Sequence, residues 1–180
     1  MPVRRTSALH RFRSSEPGRT YFVTCCTQQR QPGLTTSVPA SAINAAILAS
    51  DRESDTATQA FTLMPDHCHW LFTLGARLSL GRVVARIKAI TNEVLLPSQT
   101  RWQRDFFEHG LKPEESAEAY ALYIFLNPYR ASLIKPDEAW PHWLCPRPEM
   151  FSFSGLLNSN GSPPFEWIGQ PIPSDLRVGE

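Results

Sequence analysis

The 180 residues, 42% of them apolar and 19% charged, fit one domain of the usual size, about 100–200 residues, with a sizeable core, and the balance excludes a disordered chain. The net charge of +1 hides a segregation: residues 1–30 hold six Arg against one Glu, residues 77–104 five Arg and one Lys against one Glu, and residues 131–180 three basic against six acidic residues. Basic segments of this kind suit a polyanion partner, although surface arginines also serve solubility alone.

No apolar run approaches the roughly 18 residues of a membrane span, and the arginine-rich start, with Arg4-Arg5, lacks the apolar segment of an export signal. Cys25, Cys26, Cys68 and Cys145 form neither a Cys-x-x-Cys pair nor a zinc-ribbon spacing. Reduced thiols in a cytoplasmic protein are the expectation.

In chain order, residues 1–19 form a basic arm carrying Arg4, Arg5, Arg11 and Arg13. It ends in the turn sequence Glu16-Pro17-Gly18-Arg19, which leads into a strand predicted from Thr20 to Gln28. Ala42, Ile43, Ala46 and Ile47 recur at helical spacing, predicting a helix over 39–50 with Thr36 or Ser37 as N-cap. The polar run from Asp51 to Thr58 predicts a loop. Strands are predicted from Ala60 to Leu63 and from His67 to Leu74, joined by Met64-Pro65-Asp66.

A helix over 79–96 follows from the stripe Leu80, Val83, Val84, Ile87, Ile90, Val94 and Leu95, with Ser79 as N-cap. Arg82 and Arg86 share another of its faces, either as a solvated surface or as a rail for phosphates. The aromatic residues Trp102, Phe106 and Phe107 predict an extended segment near 102–109, with core packing expected for both phenylalanines. Glu114, Glu115 and Glu118 open a helix over 113–127, which Pro128 is expected to end near Leu126, because the residue before proline is disfavoured in a helix. Eight prolines lie between Pro136 and Pro173. Residues 1–149 are therefore assigned to one domain in which Trp140-Pro141-His142-Trp143 is the last packed stretch. Residues 150–180 are taken as an extended tail, dispensable for the core fold, with Phe151, Phe153 and Trp167 its candidate docking points.

Two stretches carry chemistry. In Leu63-Met64-Pro65-Asp66-His67-Cys68-His69-Trp70, the two-residue period of a strand puts His67 and His69 on one face and Cys68 on the other, so one metal ion could take both imidazoles. A bare His-x-His also lines the solvent face of ordinary half-buried strands. In Tyr123-Ile124-Phe125-Leu126-Asn127-Pro128-Tyr129-Arg130-Ala131-Ser132-Leu133-Ile134, one helical turn separates Tyr123 from Asn127, within reach of one shared group. Tyr120 lies seven residues from Asn127, about 10 Å of helical rise, and Tyr129 follows the proline. His109 and Glu108 are expected to be structural.

Taken together and in order, these two stretches resemble the HUH single-tyrosine transposases, and more closely the REP-associated tyrosine transposases. Tyr21-Phe22-Val23-Thr24 and Trp102-Gln103-Arg104-Asp105-Phe106-Phe107-Glu108-His109 extend the resemblance, which runs from about Tyr21 to Ile134. Cys68 stands where that family usually has a larger aliphatic residue and Ser132 where it usually has Gly; neither removes a group the chemistry needs.

The resemblance implies an α+β ferredoxin-like sandwich, a central antiparallel sheet carrying the His-x-His strand with helices on one face. It implies a metal-dependent single-strand DNA endonuclease and strand transferase acting at REP-type hairpins through a covalent 5′-phosphotyrosine. Tyr123 would be the nucleophile and His67, His69 and Asn127 would hold Mg²⁺ or Mn²⁺, while imidazole alone would equally suit zinc or iron. Single-stranded or hairpin DNA is the expected partner of a monomer or homodimer, with Arg4, Arg5, Arg11, Arg13, Arg82 and Arg86 as candidate DNA-binding residues. Two alternatives stay open: a catalytically inactive hairpin-binding domain of the same descent, and a two-histidine metalloenzyme, for which no third ligand is evident.

Overall fold

A five-stranded antiparallel sheet in the order β4-β1-β3-β2-β5 organises the molecule. Its strands are β1 (Thr20–Cys26), β2 (Thr56–Leu63), β3 (His67–Leu74), β4 (Phe107–Gly110) and β5 (Trp143–Leu144). The computed structural model describes residues 15–179, so Arg4, Arg5, Arg11 and Arg13 lie outside the described residues. The histidine strand β3 is the central one, paired with β1 through Thr24 opposite His69 and with β2 through Thr62 opposite His69. No helix among the described residues is long and apolar enough to cross a membrane.

The alternation of β3 divides the core. Cys68, Trp70, Phe72 and Leu74 face one side, where α1 (Ser37–Arg52) and α2 (Leu80–Leu95) cover them with Ile43, Ile47, Val83, Val84 and Ile87. Leu71, with Phe22 of β1 and Ala60 of β2, faces the other side and meets α3 (Ala117–Arg130). His67 and His69 share that second face by strand parity. The α+β class and the central histidine strand therefore stand as expected, but the helices are split between the two faces rather than gathered on one.

Several boundaries differ from expectation, each for a physical reason. The loop predicted from Asp51 to Thr58 is instead strand from Thr56, because its polar groups are satisfied in place. The Asp51 carboxylate accepts from Thr56 Oγ1 at 2.6 Å and from Thr58 N and Oγ1 at 3.1 and 3.0 Å, and Thr58 Oγ1 accepts from the Trp70 indole at 3.0 Å. In α1 the N-cap position is Thr36, but its hydroxyl bonds Gly33 O rather than a helical N–H. Ser79 does cap α2, accepting from Arg82 N. Ile90, expected on the core stripe of α2, is exposed, and Thr91 lies inward instead, its hydroxyl returning to Ile87 O and receiving the Trp102 indole. Trp102 itself makes only an isolated bridge to Thr27, so the strand predicted near 102–109 shortens to Phe107–Gly110.

The helix predicted over 113–127 starts and ends later. Ser116 is its N-cap, accepting from Ala119 N at 3.2 Å, and Glu114 and Glu115 lie ahead of it. Pro128 does not end it: the helix runs to Arg130 with the proline inside. In the last turn the missing N–H deprives only the Ile124 carbonyl, and Ala131 N still closes on Asn127 O at 3.0 Å.

Residues 150–180 are not an appendage. Phe151 and Phe153 are each 4% exposed and belong to the cluster around Tyr120, Ile124 and Phe125. Two 3₁₀ turns (Pro148–Met150 and Ser152–Leu156) and the short α4 (Phe165–Ile168) replace the expected extended chain. Prolines and glycines concealed this packing, because aromatic anchors in irregular backbone leave no period to detect.

Candidate active site

His67 and His69 project from the middle of the sheet toward α3, and their Nε2 atoms approach to 3.2 Å. Each ring is held at its other nitrogen. His67 Nδ1 lies 2.7 Å from Asp66 Oδ1 and His69 Nδ1 lies 2.9 Å from Thr24 Oγ1. Since a carboxylate only accepts, Asp66 holds a proton of His67 on Nδ1 and turns its Nε2 toward His69. Phe22 stacks on His69 with centroids 5.5 Å apart and planes inclined by 21°. Burial holds the His69 imidazole well below its usual pKa, with the neighbouring His67 and then Arg30 acting in the same sense. It is therefore neutral at pH 7, the form a cation requires.

Helix α3 completes the site. Because it continues through Pro128, Asn127 stays in register one turn after Tyr123, and its side-chain amide lies 2.8 Å from His69 Nε2. A half-turn of that amide exchanges nitrogen for oxygen at the same point, so the two imidazoles and an amide oxygen can converge on one position. Tyr123 is 6% exposed, with its ring edge-on to His69 at 5.5 Å and to Phe22 at 6.1 Å.

The other two tyrosines of the helix are engaged elsewhere. The Tyr120 hydroxyl donates to Glu115 Oε1 at 3.3 Å and accepts from Arg177 N at 3.1 Å. The Tyr129 hydroxyl donates to Glu138 O at 2.9 Å and accepts from Trp140 N at 3.2 Å.

The structure thus brings Tyr123, His67, His69 and Asn127 together from two elements far apart in sequence. It does not bring Arg82 and Arg86 to them, since α2 covers the opposite face of the sheet. Arg82 is exposed, whereas the Arg86 guanidinium is bound by Glu53 at 2.6 and 2.8 Å and by Asp55 at 2.8 Å. His109 is paired with Glu115 at 2.8 Å.

Asp66 is the residue that sequence reasoning missed, having been assigned to turn chemistry alone. It also receives Arg30 Nε at 2.8 Å, which makes an Arg30–Asp66–His67 chain of charge behind the first histidine. A carboxylate immediately preceding the first histidine was the available signal.

Among the described residues no cluster of three or more His, Cys, Asp or Glu side chains could hold a metal ion. A cation here would rest on the histidine pair and the Asn127 amide, and the residues fit that role. The two Nε2 atoms face one another, the distal nitrogens are held by Asp66 and Thr24, and the amide stands at the same point.

The central strand of the sheet thus presents paired histidines to a helix bearing a tyrosine and an amide one turn apart. The family model described as "Transposase IS200 like" matches residues 18–124, and the chain belongs to that family. It is 26% identical over 165 residues to the REP-associated tyrosine transposase of Escherichia coli (strain K12), covering 91% of this chain and 92% of that one. A solved structure of a REP-associated tyrosine transposase bound to a REP hairpin shares the fold with a TM-score of 0.67 at 21% identity, covering 93% of this chain and 97% of that chain.

Proposed function

We propose that this protein is a metal-dependent single-strand DNA endonuclease and strand transferase that acts at REP-type hairpins through a covalent 5′-phosphotyrosine. The observation that carries the reading is the placement of His69 Nε2 3.2 Å from His67 Nε2 and 2.8 Å from the Asn127 amide, beside the buried ring of Tyr123. Family membership and the hairpin bound by the structural relative support it.

His67, His69 and Asn127 would hold Mg²⁺ or Mn²⁺, and two imidazoles favour Mn²⁺, the softer of the two. The bound ion would supply charge stabilisation to a scissile phosphate. The chain's own residues do the rest. Asp66 and Thr24 fix the two rings, Phe22 and the aromatic packing of α3 hold water away, and Tyr123 provides the attacking oxygen. Attack forms the bond from the tyrosine oxygen to phosphorus and breaks the bond from phosphorus to the 3′-oxygen, leaving a free 3′-hydroxyl. The phosphodiester energy is retained for rejoining. Hairpin binding is assigned to Arg4, Arg5, Arg11 and Arg13 of the arm and to exposed Arg82, whereas Arg86 is committed to its ion pairs.

The test is incubation with a labelled hairpin bearing a single-stranded flank and Mn²⁺, followed by a denaturing gel. Wild type should give a protein–DNA adduct that EDTA prevents. Tyr123→Phe, His67→Ala and His69→Ala should each reduce it below detection while Tyr120→Phe retains it. An adduct that survives in Tyr123→Phe, or that maps to Tyr120 or Tyr129, overturns the assignment.

A further inference from the structure

Arg130 ends α3 seven residues after Tyr123, two helical turns along the same stripe. A helical side chain leans back over the turn that precedes it, so a long arginine at this position is carried toward Tyr123. The two residues line one cavity of about 110 Å³, together with Leu126 and, from the C-terminal segment, Gln170, Pro171 and Pro173. At roughly 30 Å³ per water in the liquid, that space admits a group the size of a phosphoryl.

What marks Arg130 is its hydrogen bonding. Nε and Nη1 are buried and find no partner among the described residues. Nη2 alone is used, donating to Gln170 O at 3.3 Å. Among the described residues no carboxylate forms an ion pair with it. Buried unpaired N–H groups each cost about 1–3 kcal/mol, more than the roughly 0.3–1 kcal/mol that a cation typically gains at a helix C-terminus. Nε and Nη2 share one edge of a guanidinium and are the pair that binds two oxygens of a carboxylate or phosphate in a fork, and Nη2 carries a second hydrogen beyond its bond to Gln170 O.

We propose that Arg130 is a phosphoryl-binding catalytic residue, whose Nε and Nη2 edge takes two non-bridging oxygens of the phosphate joined to Tyr123. The inference rests on Tyr123 as the nucleophile. Arg130 stays protonated throughout: the tyrosine hydroxyl gives up a proton, the leaving 3′-oxygen takes one up, and the phosphorus exchanges one ester oxygen for another. The fork contributes charge stabilisation and holds the phosphorus in line from the side opposite the histidines. Burial lowers the basicity of the guanidinium while the Tyr123 hydroxyl opposes that shift, which places the two groups within electrostatic reach of one another.

Two measurements on the full chain test this. In the adduct assay Arg130→Gln should slow the reaction by about 10²–10³-fold, the loss typical of one removed oxyanion donor. Arg130→Lys, which keeps the charge and loses the fork, should fall between Gln and wild type, and hairpin affinity should be unchanged in both. Independently of turnover, wild type should bind a single strand with a 5′-phosphate more tightly than the same strand with a 5′-hydroxyl, and Arg130→Gln should lose that preference.

Wild-type rates in Arg130→Gln, or no 5′-phosphate preference in wild type, would overturn the role of Arg130. Absence of any wild-type adduct alongside an Arg130-dependent phosphate preference would instead overturn the nuclease reading and leave a phosphate-binding site. If Arg130→Gln fails to melt cooperatively, Arg130→Lys decides both measurements.

Discussion

Glu115 shows how a residue read from sequence as a simple helix-dipole charge acquires a different task. It lies before the helix and accepts from Lys112 N at 2.7 Å, from His109 Nε2 at 2.8 and 2.9 Å and from the Tyr120 hydroxyl at 3.3 Å. Burial alone would raise its carboxyl pKa, but the Lys112 amide and His109 outweigh it and hold the group below its ordinary value. A carboxyl depressed in the folded state contributes stability that is present above the unfolded value, about 4.3, and is lost as pH falls below it. Glu115→Gln should therefore flatten the acid limb of a melting-temperature profile between about pH 5 and 3. A limb as steep as in wild type would show that these bonds do not couple to folding. The same network holds the Tyr120 hydroxyl at Glu115 and Arg177 N, away from the histidines.

At the scale of the element, α3 is where sequence reasoning came nearest and fell short. Tyr123 and Asn127 were legible as a pair because helical spacing depends only on position. The continuation through Pro128 was not, because the cost of a proline depends on how many carbonyls remain to be bonded beyond it, and here only the last turn follows.

What ends the helix is a pair of bonds, Ser132 N to Tyr129 O and Leu133 N to Pro128 O, each 3.0 Å, with Ser132 at φ 56°. That is a Schellman closure in which a non-glycine residue takes the left-handed position, at a cost of about 1–2 kcal/mol. A glycine, the residue the resemblance leads one to expect here, would take that angle without strain. Ser132→Gly should stabilise the protein by about 1 kcal/mol and raise Tm by about 2–4 °C, read by calorimetry. A lower Tm would mean that the serine side chain contributes more than the strain it imposes.

For the whole molecule, the sheet separates two cores with different legibility. The α1 and α2 side was legible from helical stripes and strand alternation, and its core residues Ile43, Ile47, Val83, Val84 and Ile87 all appear there. The α3 side was only half legible, because its outer layer is built from Trp140, Trp143, Phe151 and Phe153 in segments with no sustained period. Phe125 is the hub of that layer, with Trp143 at 5.2 Å, Phe153 at 5.7 Å and Tyr129 at 5.8 Å between ring centroids. Glu118, in the first turn of α3, adds a polar tie by accepting from Phe153 N at 3.0 Å.

Since α3 carries Tyr123 and Asn127 against His69, whatever clamps the rest of the helix also sets the geometry of the site. Emptying one buried phenylalanine position typically costs about 3–5 kcal/mol, a large share of the 5–15 kcal/mol that holds an ordinary domain together. Phe153→Ala should therefore lower the urea midpoint strongly while leaving the m-value near that of wild type. Removal of everything after Pro148 deletes Phe151 and Phe153 together and should abolish the cooperative transition. A truncated chain that melts cooperatively near the wild-type temperature would return residues 150–180 to the status of an appendage, and would mean that α3 is held against the sheet by Phe22, Leu71 and Ala60 alone.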